Sequence, residues 1–330
     1  MSKQKGFQLD ELVKQQLALD FEEAREADAV CYFARITCQL ALPMRFFPGA
    51  EYVRDSGENH LSILTPAKVG IPYGRYPRGI LNWLVTSIVK RHEQDDGSRT
   101  VFLGKDLATF MESVSGCDLQ TGGKNGNLTN FKRQMNSLFM SRIIYWTNDE
   151  EKAAWKTMDI APNGYVFWQP AKEKQRGLFD SRIQIGEAFW NDCICNKVAM
   201  DIRALRGLWN FGCLPMDLYA WLTYRAFVRL RIFQPTMTIP WPSLKFQFGW
   251  NVQDDYKFRQ SFRTALDRVR MVYDGFTVDD WEGRGLKFRF TRTSVLPEDK
   301  KIFQISAPQG EATVLHLRGR KKPSDFGESE

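Results

Sequence analysis

The sequence predicts an α+β fold in which one structural plan occurs twice. Each copy starts with a helix that carries a Trp-Leu pair, Trp83-Leu84 in the first copy and Trp221-Leu222 in the second. In both copies a short strand, a second helix, a basic amphipathic helix and a β-hairpin follow in that order. This is the order of a helix-turn-helix with a hairpin wing, so the sequence predicts two tandem winged-helix domains.

The first predicted winged-helix domain spans residues 31–190. Its helical elements are Arg78–Arg91, a helix that starts at Lys105, and the basic helix Asn127–Arg142, because apolar residues recur there at helical spacing. Strands are predicted at 61–65, 100–103, 143–146, 157–160, 165–168 and 181–185, whereas 31–42 fits either a strand or a helix. The strands at 157–160 and 165–168 flank Pro162-Asn163-Gly164, and an Asn-Gly pair between β-rich runs indicates a hairpin.

The second predicted winged-helix domain spans residues 191–292, after a helical connection near 186–196. Its predicted elements are the helix Met216–Arg225, the strand Met237–Ile239, the helix Trp241–Phe248, the basic helix Asp255–Val272, and a hairpin formed by Phe276–Trp281 and Leu286–Phe290. Residues 1–30 are predicted to form an acidic N-terminal helix. Residues 293–330 are polar and are predicted to be a disordered tail.

Composition favours a polyanionic partner and a cytoplasmic location. The formal net charge is +7 and the pI is about 9.0, values that suit binding to nucleic acid. No uninterrupted apolar stretch reaches the ~18 residues that a membrane span requires, and the N-terminus shows no apolar signal core. We therefore expect no membrane contact.

The basic helix of the second copy is the strongest candidate for a DNA contact. Arg259, Arg263 and Arg270 are predicted to lie opposite its apolar stripe, with Lys257 beside them. The planar guanidinium fork suits guanine edges and phosphates. Two basic residues of the predicted wing add to this surface, Arg284 between two glycines at its tip and Lys287 on its returning strand. The alternative is a solvated surface helix without a partner.

A similar but weaker face is predicted in the first copy. Its candidate DNA contacts are Lys124, Thr129, Asn130, Lys132, Arg133 and Asn136, whose amide, hydroxyl and basic groups can hold phosphates or read adenine edges. This helix could equally serve a protein interface.

The sequence gives little support for a catalytic site or a metal site. The segment Thr121–Gly126 lacks the spacing of a P-loop, and Cys193-Ile-Cys195 has no second cysteine pair nearby. The three histidines are scattered. We therefore predict no enzyme activity, no cofactor and no metal. Spacing alone does not exclude a tyrosine nucleophile, and the candidates are Tyr145, Tyr219 and Tyr224.

Several long motifs resemble the plasmid-encoded RepA replication initiators. They include Gly70-Ile-Pro-Tyr-Gly-Arg-Tyr-Pro-Arg78 with Leu81-Asn-Trp-Leu84, and Met216-Asp-Leu-Tyr-Ala-Trp-Leu-Thr-Tyr-Arg225 with Ile239-Pro-Trp241. The resemblance covers about residues 31–291. It implies a tandem winged-helix protein that binds directly repeated origin sites (iterons) in double-stranded DNA, helps to open the origin and recruits a host initiator and helicase. It also implies dimerisation through the first domain.

Two further functions compete with replication initiation. A transcriptional repressor would occupy an operator with the same basic helices but would not start replication. A nicking or strand-transfer enzyme would use one of the three tyrosines named above.

Overall fold

The computed structural model describes residues 29–35, 42–56, 59–94, 97–104, 106–116, 126–148, 153–167, 181–249 and 252–295. The predicted acidic helix before residue 29, the predicted tail after residue 295 and the candidate contact Lys124 lie outside these residues. All described residues belong to one compact unit. The predicted division into two domains near residue 190 stays a prediction.

The described residues form both helices and strands, and the strand pairs are antiparallel, which confirms the α+β class. The strands are β1 (Val30–Ala34), β2 (Glu51–Ser56), β3 (Asn59–Leu64), β4 (Thr100–Gly104), β5 (Arg142–Asn148), β6 (Ala153–Asp159), β7 (Asn163–Tyr165), β8 (Ser181–Gln184), β9 (Lys197–Asp201), β10 (Thr236–Pro240), β11 (Phe276–Trp281) and β12 (Gly285–Phe290). The helices are α1 (Arg75–Glu93), α2 (Leu107–Ser115), α3 (Asn127–Phe139), α4 (Glu187–Cys195), α5 (Ile202–Leu208), α6 (Cys213–Arg231), α7 (Trp241–Phe248) and α8 (Asp255–Arg270). None of these helices combines the length and the apolar character needed to cross a membrane.

Two three-stranded sheets share one topology. In the first half of the chain the strand order is β4-β8-β7, and in the second half it is β10-β12-β11, with all neighbours antiparallel. In each sheet the strand after the long first helix pairs with the last strand of the hairpin. The chain therefore repeats a three-dimensional arrangement as well as an order of elements.

The prediction of a hairpin through Pro162-Asn163-Gly164 is wrong. Strand β6 pairs with β5, while Asn163 and Gly164 lie inside β7, which pairs with β8 in a different sheet. The chain changes sheets just before them, where the Ala161 amide donates to the Phe139 carbonyl. Non-local pairing overrides the turn preference of the Asn-Gly pair, and the Asn163 side chain bonds Gln184 instead.

The β5–β6 hairpin is an insertion relative to the second half. It joins β2 and β3 in a four-stranded sheet of order β2-β3-β5-β6. Because Arg142 starts β5, α3 ends at Phe139 and not at the predicted Arg142. A fourth, two-stranded sheet pairs β1 with β9, so residues at the start of the described chain are tied to the entry of the second half.

The Trp-Leu pairs anchor the first helix of each half. Trp83 on α1 packs edge-to-face on Phe110 of α2, with ring centroids 4.8 Å apart. Trp221 on α6 packs in the same way on Phe248 of α7 at 5.4 Å. Leu84 and Leu222 are fully buried. The repeated pair therefore forms equivalent core contacts in the two halves.

A buried ion pair joins α1 to α6. The Arg78 guanidinium donates to both carboxylate oxygens of Asp217, at 2.6 and 2.8 Å. It also donates to the carbonyls of Leu42, Pro43 and Gly74. Arg78 is only 6% exposed, and burial alone would lower its pKa, but the Asp217 carboxylate raises the pKa above the usual arginine value. The charge is thus fully compensated inside the protein.

Substitution Asp217→Ala is expected to lower the free energy of unfolding by about 3 kcal/mol, because it leaves the buried Arg78 charge without its counter-ion. Urea denaturation followed by circular dichroism measures this value. The control is Asp159→Ala, which removes the exposed pair with Arg142 and is expected to change stability by less than about 1 kcal/mol. Equal effects of the two substitutions would contradict a special role for the buried pair.

Candidate nucleic-acid interface

Helix α8 is held by a polar cap at its start and an apolar stripe along one side. The Asp254 carboxylate accepts hydrogen bonds from the amides of Tyr256 and Lys257, at 2.9 and 3.2 Å, so it satisfies two donors at the helix start. Five apolar residues are buried against the core: Phe258, Phe262, Ala265, Leu266 and Val269. The remaining sides of the helix face the hairpin and solvent.

Three arginines form a row along one flank of α8, next to β11. Arg259 and Arg263 each place their guanidinium carbon 5.4 Å from the Trp241 ring. Arg270 donates to the carbonyl of Val278, at 3.3 Å. The prediction that this row lies directly opposite the apolar stripe is wrong in detail, because each of these arginines directly follows a stripe residue and so lies only about 100° from it around the helix.

The hairpin beside α8 carries both signs of charge. Arg263 donates to the carboxylate of Asp280 at 2.8 Å, while the other Asp280 oxygen accepts from the Gly283 amide. These two hydrogen bonds, that of Gly283 first, lower the pKa of Asp280. Arg284 is exposed at the tip, 3.7 Å from Glu282. On the returning strand Lys287 lies exposed, opposite Asp279.

Charge in this region is concentrated on the helix. Residues 276–290 hold three acidic and three basic side chains, so the hairpin is formally neutral. Residues 255–270 hold five basic and two acidic side chains, a net of +3. The sequence prediction counted the basic residues of the wing and left out Asp279, Asp280 and Glu282. A polyanion would therefore be attracted mainly to α8.

The solvent-facing side of α8 holds the predicted contact Lys257 together with residues that the sequence pattern did not single out. Lys257 is 75% exposed and lies 3.8 Å from Asp254. Next to it Tyr256 leaves three quarters of its side chain in solvent. Gln260 and Thr264 continue the exposed side. The sequence could have indicated that Tyr256 is exposed, because this residue lies just after the N-cap and outside the apolar stripe.

In the first half, α3 presents a more amide-rich side. Arg133 is exposed and donates to the Tyr73 hydroxyl and the Asn130 side chain, both at 3.0 Å. Lys132 is half-buried, and desolvation lowers its pKa. Thr129, Asn130 and Asn136 are half-buried on the same helix. The five described candidates thus share one helix, with less net charge available than on α8.

The loop before α1 holds α3 in place through two hydrogen bonds. The Tyr73 amide donates to the Gln134 side chain at 2.7 Å, and the Ser137 hydroxyl donates to the Gly70 carbonyl. The motif Gly70–Arg78 therefore has a structural role, as it fixes α3 and also supplies Arg78 to the ion pair with Asp217. Its Tyr73 hydroxyl lies against Arg133, a neighbour that the sequence did not reveal.

A family model described as plasmid encoded RepA protein matches residues 71–242, which is 172 of the 330 residues. The chain belongs to this family. The match starts just before α1 and ends at the second residue of α7, so it is narrower than the resemblance predicted over residues 31–291. The contacts of α8 and its hairpin lie outside the matched part and depend on the structure alone.

Other comparisons add less to the plasmid encoded RepA assignment. A solved structure of domains 2 and 3 of RctB is similar with a TM-score of 0.45 and 8% sequence identity, over 77% of this chain and 98% of that chain. No curated protein sequence matches the chain.

Of the three tyrosines considered as nucleophiles, Tyr219 is unsuited by its position. Its hydroxyl is fully buried, donates to the Asp201 carbonyl and lies against Ser294. Burial raises its pKa well above the usual tyrosine value, so the phenolate that would attack a phosphodiester is disfavoured. Tyr145 and Tyr224 are half-buried. Among the described residues, no group of three or more His, Cys, Asp or Glu side chains could hold a metal ion.

Substitution Asp254→Ala is expected to lower the free energy of unfolding by about 1 kcal/mol, because two amides at the start of α8 lose their acceptor. Asp267→Ala is the matched control, since it removes the same charge from the exposed side of α8 without touching the cap, and it is expected to cost less than about 0.5 kcal/mol. Urea denaturation measures both values. The cap assignment fails if the control is equally destabilising.

Proposed function

We propose that this protein is a plasmid replication initiator that binds repeated origin sites, the iterons, in double-stranded DNA. The observation that carries the proposal is the basic helix α8 beside the β11–β12 hairpin, in a chain of the plasmid encoded RepA family. In this proposal each half is a winged helix, with α3 and α8 as the helices that enter the major groove.

The shared sheet topology supports the winged-helix assignment. The orders β4-β8-β7 and β10-β12-β11 each place the strand between the first two helices against the last strand of a hairpin. A wing built in this way projects beside the recognition helix, and Arg284 and Lys287 lie on that wing in the second half. The wing of the first half is then β7–β8, and the β5–β6 hairpin is an insertion.

Dimensions and charge support duplex binding by α8. Its 16 residues span about 24 Å, and its width of about 10–12 Å fits a major groove about 12 Å across. Its net charge of +3 attracts phosphates, and the row formed by Arg259, Arg263 and Arg270 offers planar donors. The exposed side with Tyr256 and Gln260 is then left to contact base edges.

In this proposal the energy of DNA binding opens the origin, and no catalytic step or cofactor takes part. The host initiator and the replicative helicase are proposed partners, as is a second copy of the chain bound through the first half. Because plasmids replicate in the cytoplasm, the protein is proposed to act there.

Nuclease footprinting on the DNA that flanks the gene tests the proposal. We expect protected segments that recur about every two helical turns, as directly repeated sites require. A plasmid-maintenance assay with the protected fragment as origin separates initiation from repression. Protection without plasmid maintenance would favour the repressor, and no protection at all would contradict DNA recognition.

Substitutions Arg259→Ala and Arg263→Ala are each expected to weaken binding to the protected site by about 1 to 3 kcal/mol. The logarithm of affinity should fall with the logarithm of salt concentration, and each lost phosphate contact should reduce that slope by about 1. Fluorescence anisotropy at several salt concentrations measures both quantities.

The matched control is Arg268→Ala. Arg268 lies on the same helix, but its guanidinium carbon is 4.6 Å from the ring of Phe211, away from the row. The change in net charge is the same. If Arg268→Ala weakens binding as much as Arg263→Ala, the row has no special role and general charge accounts for the affinity.

A further inference from the structure

The outer face of the β4-β8-β7 sheet carries aromatic rings and guanidinium groups in alternation. Phe102, Arg182 and Tyr165 are direct cross-strand neighbours, with Arg182 on the central strand. The Arg182 guanidinium carbon lies 5.9 Å from the Tyr165 ring, and that of Arg91 lies 5.7 Å from the Phe102 ring. The Phe167 ring extends the row, nearly parallel to Tyr165 at 6.4 Å. We call these five residues the ring-guanidinium row.

The rings of this row are open to solvent. Phe102 is 49% exposed, Tyr165 60% and Phe167 46%. The residues that alternate with them, Val101 and Ile183, are buried in the core, so the row lies on the side of the sheet away from the packed interior. Arg182 is exposed as well.

The fold itself does not require exposed rings at these positions. The equivalent sheet β10-β12-β11 carries the cross-strand rows Thr236-Arg289-Thr277 and Thr238-Lys287-Asp279 on its outer face. The second half thus builds the same topology with threonines where the first half exposes aromatic residues. An exposed cluster of rings that packing does not explain indicates a binding surface.

The charge of the row indicates the chemistry of its partner. The described strands β4, β8 and β7 contain no acidic residue, whereas the equivalent strand β11 contains two, Asp279 and Asp280. Two guanidinium groups against ring faces, without a nearby strand carboxylate, suit a polyanion that also offers planar rings. Single-stranded nucleic acid has both properties, while a duplex keeps its base faces stacked inside.

We infer that the ring-guanidinium row binds single-stranded nucleic acid, with bases stacked on Phe102, Tyr165 and Phe167 and phosphates held by Arg91 and Arg182. None of its five residues is among the candidate duplex contacts on α3, on α8 or on the β11–β12 hairpin, although Tyr165 and Arg182 lie on the proposed wing of the first half. The inference rests on the proposed function only for the source of the ligand, which is then the strand released when the origin opens.

Binding of a fluorescein-labelled oligo(dT) of about 20 nucleotides, followed by anisotropy, tests the inference. Tyr165→Ala and Phe102→Ala are each expected to weaken binding about 10-fold, because each removes a stacking platform. Tyr165→Phe keeps the ring and should bind as the wild type does. Arg182→Gln should weaken binding and reduce its salt dependence.

The matched control is Trp155→Ala. Trp155 is 75% exposed on β6, in the four-stranded sheet, and its loss should leave oligo(dT) binding unchanged. Thermal denaturation checks that each variant is folded. Duplex binding to the footprinted site is measured in parallel and should be retained by the row variants, whereas Arg263→Ala should lose duplex binding and keep oligo(dT) binding.

Three results would overturn the inference. The first is an absence of oligo(dT) binding by the wild type at low salt. The second is wild-type affinity in Phe102→Ala and Tyr165→Ala. The third is that these variants lose self-association in sedimentation but keep oligo(dT) binding. The last result would identify the face as an interface between copies of the chain. Because the duplex and single-strand measurements are independent, failure of one proposal leaves the other testable.

Discussion

The arrangement of the two halves depends on the buried contact between Arg78 and Asp217. It joins α1 and α6, the two helices that begin the repeated plan, at a point where water is largely excluded. A buried guanidinium is tolerated only where all its donors are matched, and here a carboxylate and three carbonyls match them. Any packing of the two helices that separates the partners would leave a buried charge uncompensated and is therefore disfavoured.

The two halves use this common frame with different surface chemistry. Helix α8 carries a net charge of +3 and an arginine row held by the Trp241 ring and the neighbouring hairpin. Helix α3 carries amides and a half-buried lysine, Lys132, whose pKa is lowered by desolvation. The small sheets differ in the opposite sense, since the first exposes rings and the second exposes threonines and charges. Each half therefore offers a distinct surface, and the two proposals assign duplex DNA to the helices and single strands to the first sheet.

Much of the fold could be predicted because local patterns and final contacts agree. The helical spacing that predicted the basic helix Asp255–Val272 is a local signal, and the structure confirms this helix as α8, with Phe258, Phe262 and Val269 buried. The Asn163-Gly164 turn was predicted wrongly because strand pairing is decided by partners far along the chain. The candidate contacts on α8 were predicted by type and helix, but their partners within the protein were not, because Trp241 and Asp280 come from other elements.

The sequence by itself determined the α+β class, the repeated plan, the positions of the basic helices and the family to which the chain is similar. Those properties follow from periodicity and motif spacing, which are local features of short segments. Only the tertiary structure decided that Arg78 pairs with Asp217 and that Phe102, Arg182 and Tyr165 form one row. These residues are far apart in the chain, and only strand pairing and helix packing bring them within a few ångströms of one another.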